Sequence, residues 1–169
     1  MSTAASDVGE TLTSARVNAA RIDAAWQTLR GVEDPEIPAV SIVDLGLIRY
    51  VRATANGSLD VGLSPTYVGC PATEAIRRSV REALAKTEIG DFTVTHVLAP
   101  AWSSDWITPE GRRKLYDYGI APPCSQQPIA CPHCRSLDTE TVSEFGSTPC
   151  KALHRCRACL EPFEYFKCI

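Results

Sequence analysis

Ala15, Ala19, Ile22, Trp26 and Leu29 recur at alternating spacings of four and three, with Ala25 beside them. That period places them on one face of an α-helix ending at Gly31. Residues 1–13 are small and polar without such a period and are expected to form a disordered tail. After Gly31, Pro35 and Pro38 forbid a regular helix and predict an ordered loop with a short helical turn around Ser41–Leu45. Leu47–Thr54 and Ser58–Ser64 flank Asn56-Gly57, whose tolerance of positive φ predicts an antiparallel hairpin. Ile76, Val80, Ala83 and Leu84 form an apolar stripe opposite Arg77, Arg78, Arg81 and Lys86, predicting a helix over residues 71–87. Phe92, Val94, His96 and Leu98 alternate with Thr93, Thr95 and Val97, a third strand that would set His96 on the core side. The order helix, hairpin, helix, strand predicts an α+β domain, a small sheet with helices packed on one face.

The pattern then changes. Residues 99–107 are irregular and carry Trp102 and Trp106, expected in the core rather than, with Tyr165 and Phe166, as an exposed docking patch. Thr108-Pro109 supplies an N-cap and a first-turn proline for a helix reaching Gly119. Ala121-Pro122-Pro123 reads as a stiff linker. The expected division is a tail over 1–13, a domain with a helical extension over 14–120, and a zinc-ribbon-like β module over 121–169.

Cysteine usage sharpens that division, because seven of the eight cysteines follow residue 123. The N-terminus has neither a basic start nor the apolar core of an export signal, so a reducing, cytoplasmic setting is expected. There, clustered cysteines bind metal more often than they form disulfides. Cys131-Pro132-His133-Cys134 and Cys156-Arg157-Ala158-Cys159 are two C-x-x-C knuckles 21 residues apart, and four thiolates so presented can surround a zinc ion tetrahedrally. A module of about 40 residues needs such a staple. A zinc ribbon is expected, with short strands near Thr139–Val142 and Phe163–Phe166. An iron–sulfur cluster on the same sulfurs and paired redox thiols are the competing readings, with Cys124, Cys150 and Cys168 as alternative ligands.

Net charge of −3, with no basic run, argues against nucleic acid. No stretch approaches eighteen apolar residues, so no membrane span is expected. The remaining cysteine, Cys70, precedes Pro71 where a helix should begin. It is expected as the N-cap, where free backbone N–H groups favour a thiolate. Asp34 and Glu36, in the proline-stiffened loop, could sit beside it as oxygen donors suited to transient iron. Asp34 and Asp44 could instead merely cap turns, as loop carboxylates commonly do, and for Asp44 that structural role is the favoured reading. A thiol enzyme would need a base near Cys70, and of the three histidines only His96 shares its domain. No nucleotide or Ser/His/Asp pattern occurs. The chain is therefore read as non-enzymatic.

Val32-Glu33-Asp34-Pro35-Glu36-Ile37-Pro38, Ile42-Val43-Asp44-Leu45-Gly46-Leu47-Ile48, Ser64-Pro65-Thr66 and Gly69-Cys70-Pro71 together resemble the small domain of SufT-like metal–sulfur cluster assembly factors over residues 15–100. With Phe145–Lys151 and Glu161–Cys168 added, the whole chain resembles the PaaD family of bacterial phenylacetyl-CoA epoxidase systems. The resemblance implies a maturation factor in aerobic phenylacetate breakdown. Its client would be the iron–sulfur flavoprotein reductase, with other epoxidase subunits as further partners and iron or an iron–sulfur cluster as transient cargo. It points to Asp34, Glu36, Asp44, Thr66 and Cys70 as the transfer site. The alternative is a structural or electron-transfer component of the monooxygenase. A homodimer is compatible with either reading.

Overall fold

A computed structural model of the protein describes residues 5–67, 69–124 and 128–169, with side chains from residue 15 onward. The first element, α1, runs over Ala5–Leu29. It therefore starts well before the predicted boundary, inside the segment expected to be a tail; residues 1–4 lie outside the described part. Periodicity marks only the portion of a helix that packs, whereas an existing helix extends at one hydrogen bond per added residue without any core contact. Ala25 and Leu29 are fully buried at its C-terminal end.

β1 (Ile48–Ala53) and β2 (Leu59–Leu63) form the predicted antiparallel hairpin, with Val51 opposite Val61. The turn differs in kind from the expected two-residue form. Gly57 alone takes a positive φ, of 82°, and its N–H bonds to the Thr54 carbonyl at 3.0 Å. The result is the longer loop in which one left-handed glycine closes the turn. α2 (Thr73–Leu84) buries Ile76, Val80 and Leu84 as the stripe requires, but begins two residues later than expected. β3 (Phe92–His96) lies parallel to β2, giving the order β1-β2-β3. Every residue of β2 is buried, as a central strand's should be. On β3 only Val94 is buried, so His96 is exposed and not the core histidine that alternation predicted. An edge strand has one neighbour, and alternation cannot tell an edge from a centre.

A short 3₁₀ turn at Ser104–Trp106 leads to α3 (Pro109–Asp117), capped by the Thr108 hydroxyl accepting from the Gly111 N–H at 2.9 Å. Trp102 is in the core as expected, and its Nε1 donates to the Leu45 carbonyl at 2.9 Å. The expected linker is not a free spacer. Ile120–Ala121 is a strand, β4, paired in parallel with β7 (Pro162–Phe166). With β5 (Thr139–Ser143) and β6 (Lys151–Cys156) it completes a second sheet ordered β4-β7-β6-β5. The prolines end the strand rather than begin a tether. Cys150 and Phe166, from the ribbon module, are buried in the hydrophobic cluster of the first domain, while the ribbon keeps a second cluster of its own around Ile129, Phe163 and Tyr165. Among the described residues no helix is long and apolar enough to cross a membrane.

Gly46 gives a stability test of this packing. Its φ is 69°, and an added Cβ would sit 2.5 Å from the Trp106 carbonyl oxygen. Gly57 shares the left-handed conformation but has nothing within 4 Å. Gly57→Ala should cost about 1–2 kcal/mol, the conformational penalty alone. Gly46→Ala should cost on the order of 3 kcal/mol or more, because a backbone clash is added. Urea denaturation of both variants measures the difference.

Candidate functional site

Two sites emerge, one in each module. In the first, the loop after α1 is closed by the Asp34 N–H donating to the Val40 carbonyl at 2.9 Å. Asp34 Oδ1 accepts the N–H groups of Glu36 and Ile37 at 2.8 and 3.0 Å. Its Oδ2 takes no part in this turn. Asp34 is only 6% exposed, and burial raises its carboxyl above the ordinary range, against the lowering effect of those two N–H groups and of the Lys151 charge. Glu36 is raised likewise, by burial and then by the neighbouring Asp34.

The Cys70 loop faces these carboxylates. Cys70 is not the helix N-cap: that position is Ala72, which makes no side-chain cap. Instead the Cys70 N–H bonds to the Tyr67 carbonyl and its own carbonyl accepts from the Thr73 N–H, both at 3.2 Å. Two consecutive turns thus precede α2, and Pro71 sits in the second rather than at the first helical position. Val68, in the same loop, lies outside the described residues.

Asp34, Glu36, Thr66 and the half-buried Cys70 line one pocket, walled by apolar side chains including Ile37, Leu45, Leu47, Leu63 and Ile76. Asp44 does not join them. Its Oδ2 accepts from Lys114 Nζ at 2.7 Å and from the Ser41 N–H at 3.1 Å, while the Ser41 hydroxyl accepts the Asp44 N–H at 3.0 Å. Burial alone would raise this carboxyl, but Lys114 and Ser41 outweigh it and hold it below the ordinary range. Asp44 thus caps a turn and pins α3.

Sequence reasoning missed two further walls of the pocket. Ser64 is 1% exposed, with a buried Oγ that has no hydrogen-bond partner. Cys150 reaches the same pocket from the ribbon module, accompanied by Phe166. Residues so far apart in the chain leave no mark in local spacing.

The second site is the cysteine quartet. Cys131, Cys134, Cys156 and Cys159 bring all four sulfurs within 4.8 Å of one another. The Cys131–Cys159 and Cys134–Cys156 pairs are 3.8 and 3.5 Å apart. Tetrahedral bonds of about 2.3 Å to one ion set the sulfurs about 3.8 Å apart, so the donor set fits a zinc-sized ion. The Cys159 N–H points at Cys156 Sγ from 3.5 Å, and this bond leads the causes that bring the Cys156 thiol down to about 7. Cys150 stands apart from the quartet, in the first domain's core. Cys168 is also elsewhere, its Sγ donating to the Cys124 carbonyl at 2.9 Å near the Tyr165 hydroxyl. The alternative ligands therefore do not enter this site. Tyr165 and Phe166 are buried, not an exposed patch.

A family model described as an iron–sulfur cluster assembly protein matches residues 22–97, and one described as the PaaD zinc β-ribbon domain matches residues 121–167. An Escherichia coli (strain K12) protein, whose name assigns it provisionally to 1,2-phenylacetyl-CoA epoxidase as one of its subunits, is 46% identical over 151 residues, covering 85% of this chain and 91% of that protein. The chain belongs to the PaaD family. The family's first module is shared more widely. The Staphylococcus aureus (strain USA300) Fe-S protein maturation auxiliary factor SufT is 36% identical over 78 residues, 46% of this chain and 88% of that protein. The crystal structure of a DUF59 domain of unknown function from Bacillus anthracis superposes with a TM-score of 0.55 at 29% identity, covering 60% of this chain and 96% of that one. The quartet lies within the segment that the PaaD zinc β-ribbon model matches, and its four sulfurs are placed so that they could hold a metal ion.

Two measurements test these assignments. Asp34 has a folded-state pKa above its unfolded one. Its contribution is thus fully favourable below the unfolded value near 4 and is lost as pH rises through the folded one. Asp34→Asn keeps the Oδ1 acceptor and should raise the melting temperature at pH 7 by on the order of 2 °C, with the gain vanishing at about pH 3. Cys131→Ser, by contrast, should abolish metal binding at the quartet and destabilise the ribbon by more than about 3 kcal/mol, read by metal analysis and chemical denaturation.

Proposed function

We propose that this chain is a non-catalytic assembly factor that holds iron or a nascent iron–sulfur unit at Cys70 and passes it to the iron–sulfur flavoprotein reductase of the phenylacetyl-CoA epoxidase system. The observation that carries the reading is the convergence of a partly accessible thiol and two carboxylates of raised pKa on one apolar-walled pocket. Thiolate and carboxylate donors together suit a ferrous ion that must also leave. The family membership and the relatives named as Fe-S maturation auxiliary factors support the same reading.

His96 is exposed on an edge strand and does not line the pocket. The pocket thus offers Cys70 no imidazole, which favours metal handling over nucleophilic catalysis. In this reading the quartet carries a resident zinc whose chemistry is structural. Its four sulfurs, drawn from two knuckles, fix β5, β6 and β7 and with them the face that meets the pocket. Thr66 and Glu36 shape the pocket, and Asp34 supplies a carboxylate oxygen beside the thiol.

Cys70→Ala should leave the fold and the quartet's metal intact while the reductase purified from the same cells loses most of its cluster iron. Measuring iron and acid-labile sulfide in the reductase, alongside the variant's circular dichroism melt, decides the matter. A fully loaded reductase beside a folded Cys70→Ala protein would falsify the proposed role.

A further inference from the structure

The quartet takes four of the eight cysteines, and Cys70 and Cys150 line the pocket. The remaining two, Cys124 and Cys168, are exposed. They are 44 residues apart in the chain, yet Cys168 Sγ donates to the Cys124 carbonyl at 2.9 Å. The second sheet brings them together. β4 and β7 pair in parallel with Ala121 opposite Tyr165, and Cys124 and Cys168 each lie three residues beyond that pair. Neighbouring strands run about 4.8 Å apart, inside the Cα separation of roughly 4.4–6.8 Å that a disulfide spans.

Tyr165 anchors the meeting point. Its hydroxyl accepts the Cys124 N–H at 3.5 Å, donates to the Cys124 carbonyl at 3.2 Å and lies 3.3 Å from Cys168 Sγ. Burial, and after it the Cys168 sulfur, holds this phenol above its ordinary range, so it keeps its proton. Both cysteines line an open cleft with Asp105 and Arg112. Arg112 braces that cleft by donating to the Pro123 carbonyl at 2.5 Å and to the Ser104 carbonyl at 2.9 Å. Next to Cys168, Ile169 bonds to Ser104 through both its carbonyl and its N–H, and it lines an apolar groove with Thr66 and Tyr67 of the Cys70 loop.

We propose that Cys124 and Cys168 form a reversible disulfide site, open to low-molecular-weight disulfides such as oxidised glutathione, whose closure latches the Cys168-Ile169 segment onto the end of β4. It is independent of the metal-handling reading of Cys70, since it uses a different pair of sulfurs. In the first step the Cys168 thiolate attacks one glutathione sulfur, so that a mixed disulfide forms and one glutathione thiolate leaves. The Cys124 thiolate then attacks Cys168 Sγ, the protein disulfide forms and the second glutathione thiolate leaves. The two protein thiols together give up two electrons and two protons, and one glutathione disulfide takes them to become two glutathione thiols. Exposed disulfides are the readily reduced ones, so reduced glutathione reverses the closure.

The test uses the full chain with its quartet filled with zinc, equilibrated under anaerobic conditions with mixtures of oxidised and reduced glutathione. Peptide mass spectrometry should find a Cys124–Cys168 linkage, with the zinc retained. Cys124→Ser and Cys168→Ser should each abolish it, and Cys70→Ser should leave it. Unfolding the chain in urea before oxidation should lower the yield of that linkage at least about tenfold, because the fold supplies the local concentration of the two thiols. In the oxidised folded chain, hydrogen exchange at the Ser104 and Ile169 amides should slow several-fold, since the latch suppresses local opening. No linkage, glutathione left on Cys168 as a mixed disulfide, bonding of either cysteine to Cys70 or Cys150 instead, or a yield indifferent to unfolding overturns the site. Unchanged exchange at both amides overturns the latch.

Discussion

The seam between the two modules depends on the packing of Trp102 against Phe166. Their ring centroids are 6.0 Å apart and both side chains are buried. Trp102 belongs to the connector after the first sheet and donates to the Leu45 carbonyl, next to the turn that Asp44 caps. Phe166 ends the last strand of the ribbon. Burying an aromatic side chain of this size contributes about 2–3 kcal/mol, and here it also fixes position. The chain end closes the same seam, with the Ser104 N–H donating to the Ile169 carbonyl at 3.1 Å and the Ile169 N–H returning to Ser104 Oγ at 3.2 Å. Without that contact the pocket would lose its Phe166 and Cys150 walls.

Charge at this seam is paired as closely as the rings are packed. Lys151 is 3% exposed and pairs with Glu164 at 2.6 Å. The Ser147 N–H satisfies the other carboxylate oxygen of Glu164, also at 2.6 Å. Burial would raise the Glu164 carboxyl, but Lys151 and Ser147 hold it below the ordinary range. A buried ion pair adds little net stability compared with apolar packing, yet breaking one is costly. Its position beside Cys150 also brings a cation within electrostatic reach of Asp34 and Glu36. The ribbon therefore contributes a wall, a sulfur and a positive field to a pocket whose carboxylates belong to the other module. The cysteine quartet is tied to the pocket through the same elements, since Cys156 ends β6 and β6 pairs with β7.

The amphipathic period of α1 and α2, the Asn56-Gly57 turn, the Thr108-Pro109 cap and the two C-x-x-C knuckles are properties of neighbouring residues. They were legible in the sequence because helix faces, turns and chelating loops close over a few positions. The grouping of Asp34, Glu36, Thr66 and Cys70 was legible through resemblance rather than periodicity. Errors arose where a local rule met a distant neighbour or its absence. His96 alternates correctly but lies on an edge, Ala121 precedes two prolines but pairs with β7, and Cys70 precedes proline but sits a turn ahead of its helix.

By itself the sequence determined the family, through resemblance, and the α+β first module and the grouping of four cysteine sulfurs, since helix and strand patterns and C-x-x-C loops depend on short-range spacing and residue type. Tertiary structure alone decided that Asp44 serves Lys114 and not the pocket, that Ser64 is buried without a partner, and that Cys150 stands apart from the ribbon's cysteine quartet and lines the pocket with Cys70. Those outcomes depend on how two modules meet. Burial of Phe166 and Trp102 selects that meeting, and side chains tens of residues apart carry no spacing from which it could be read.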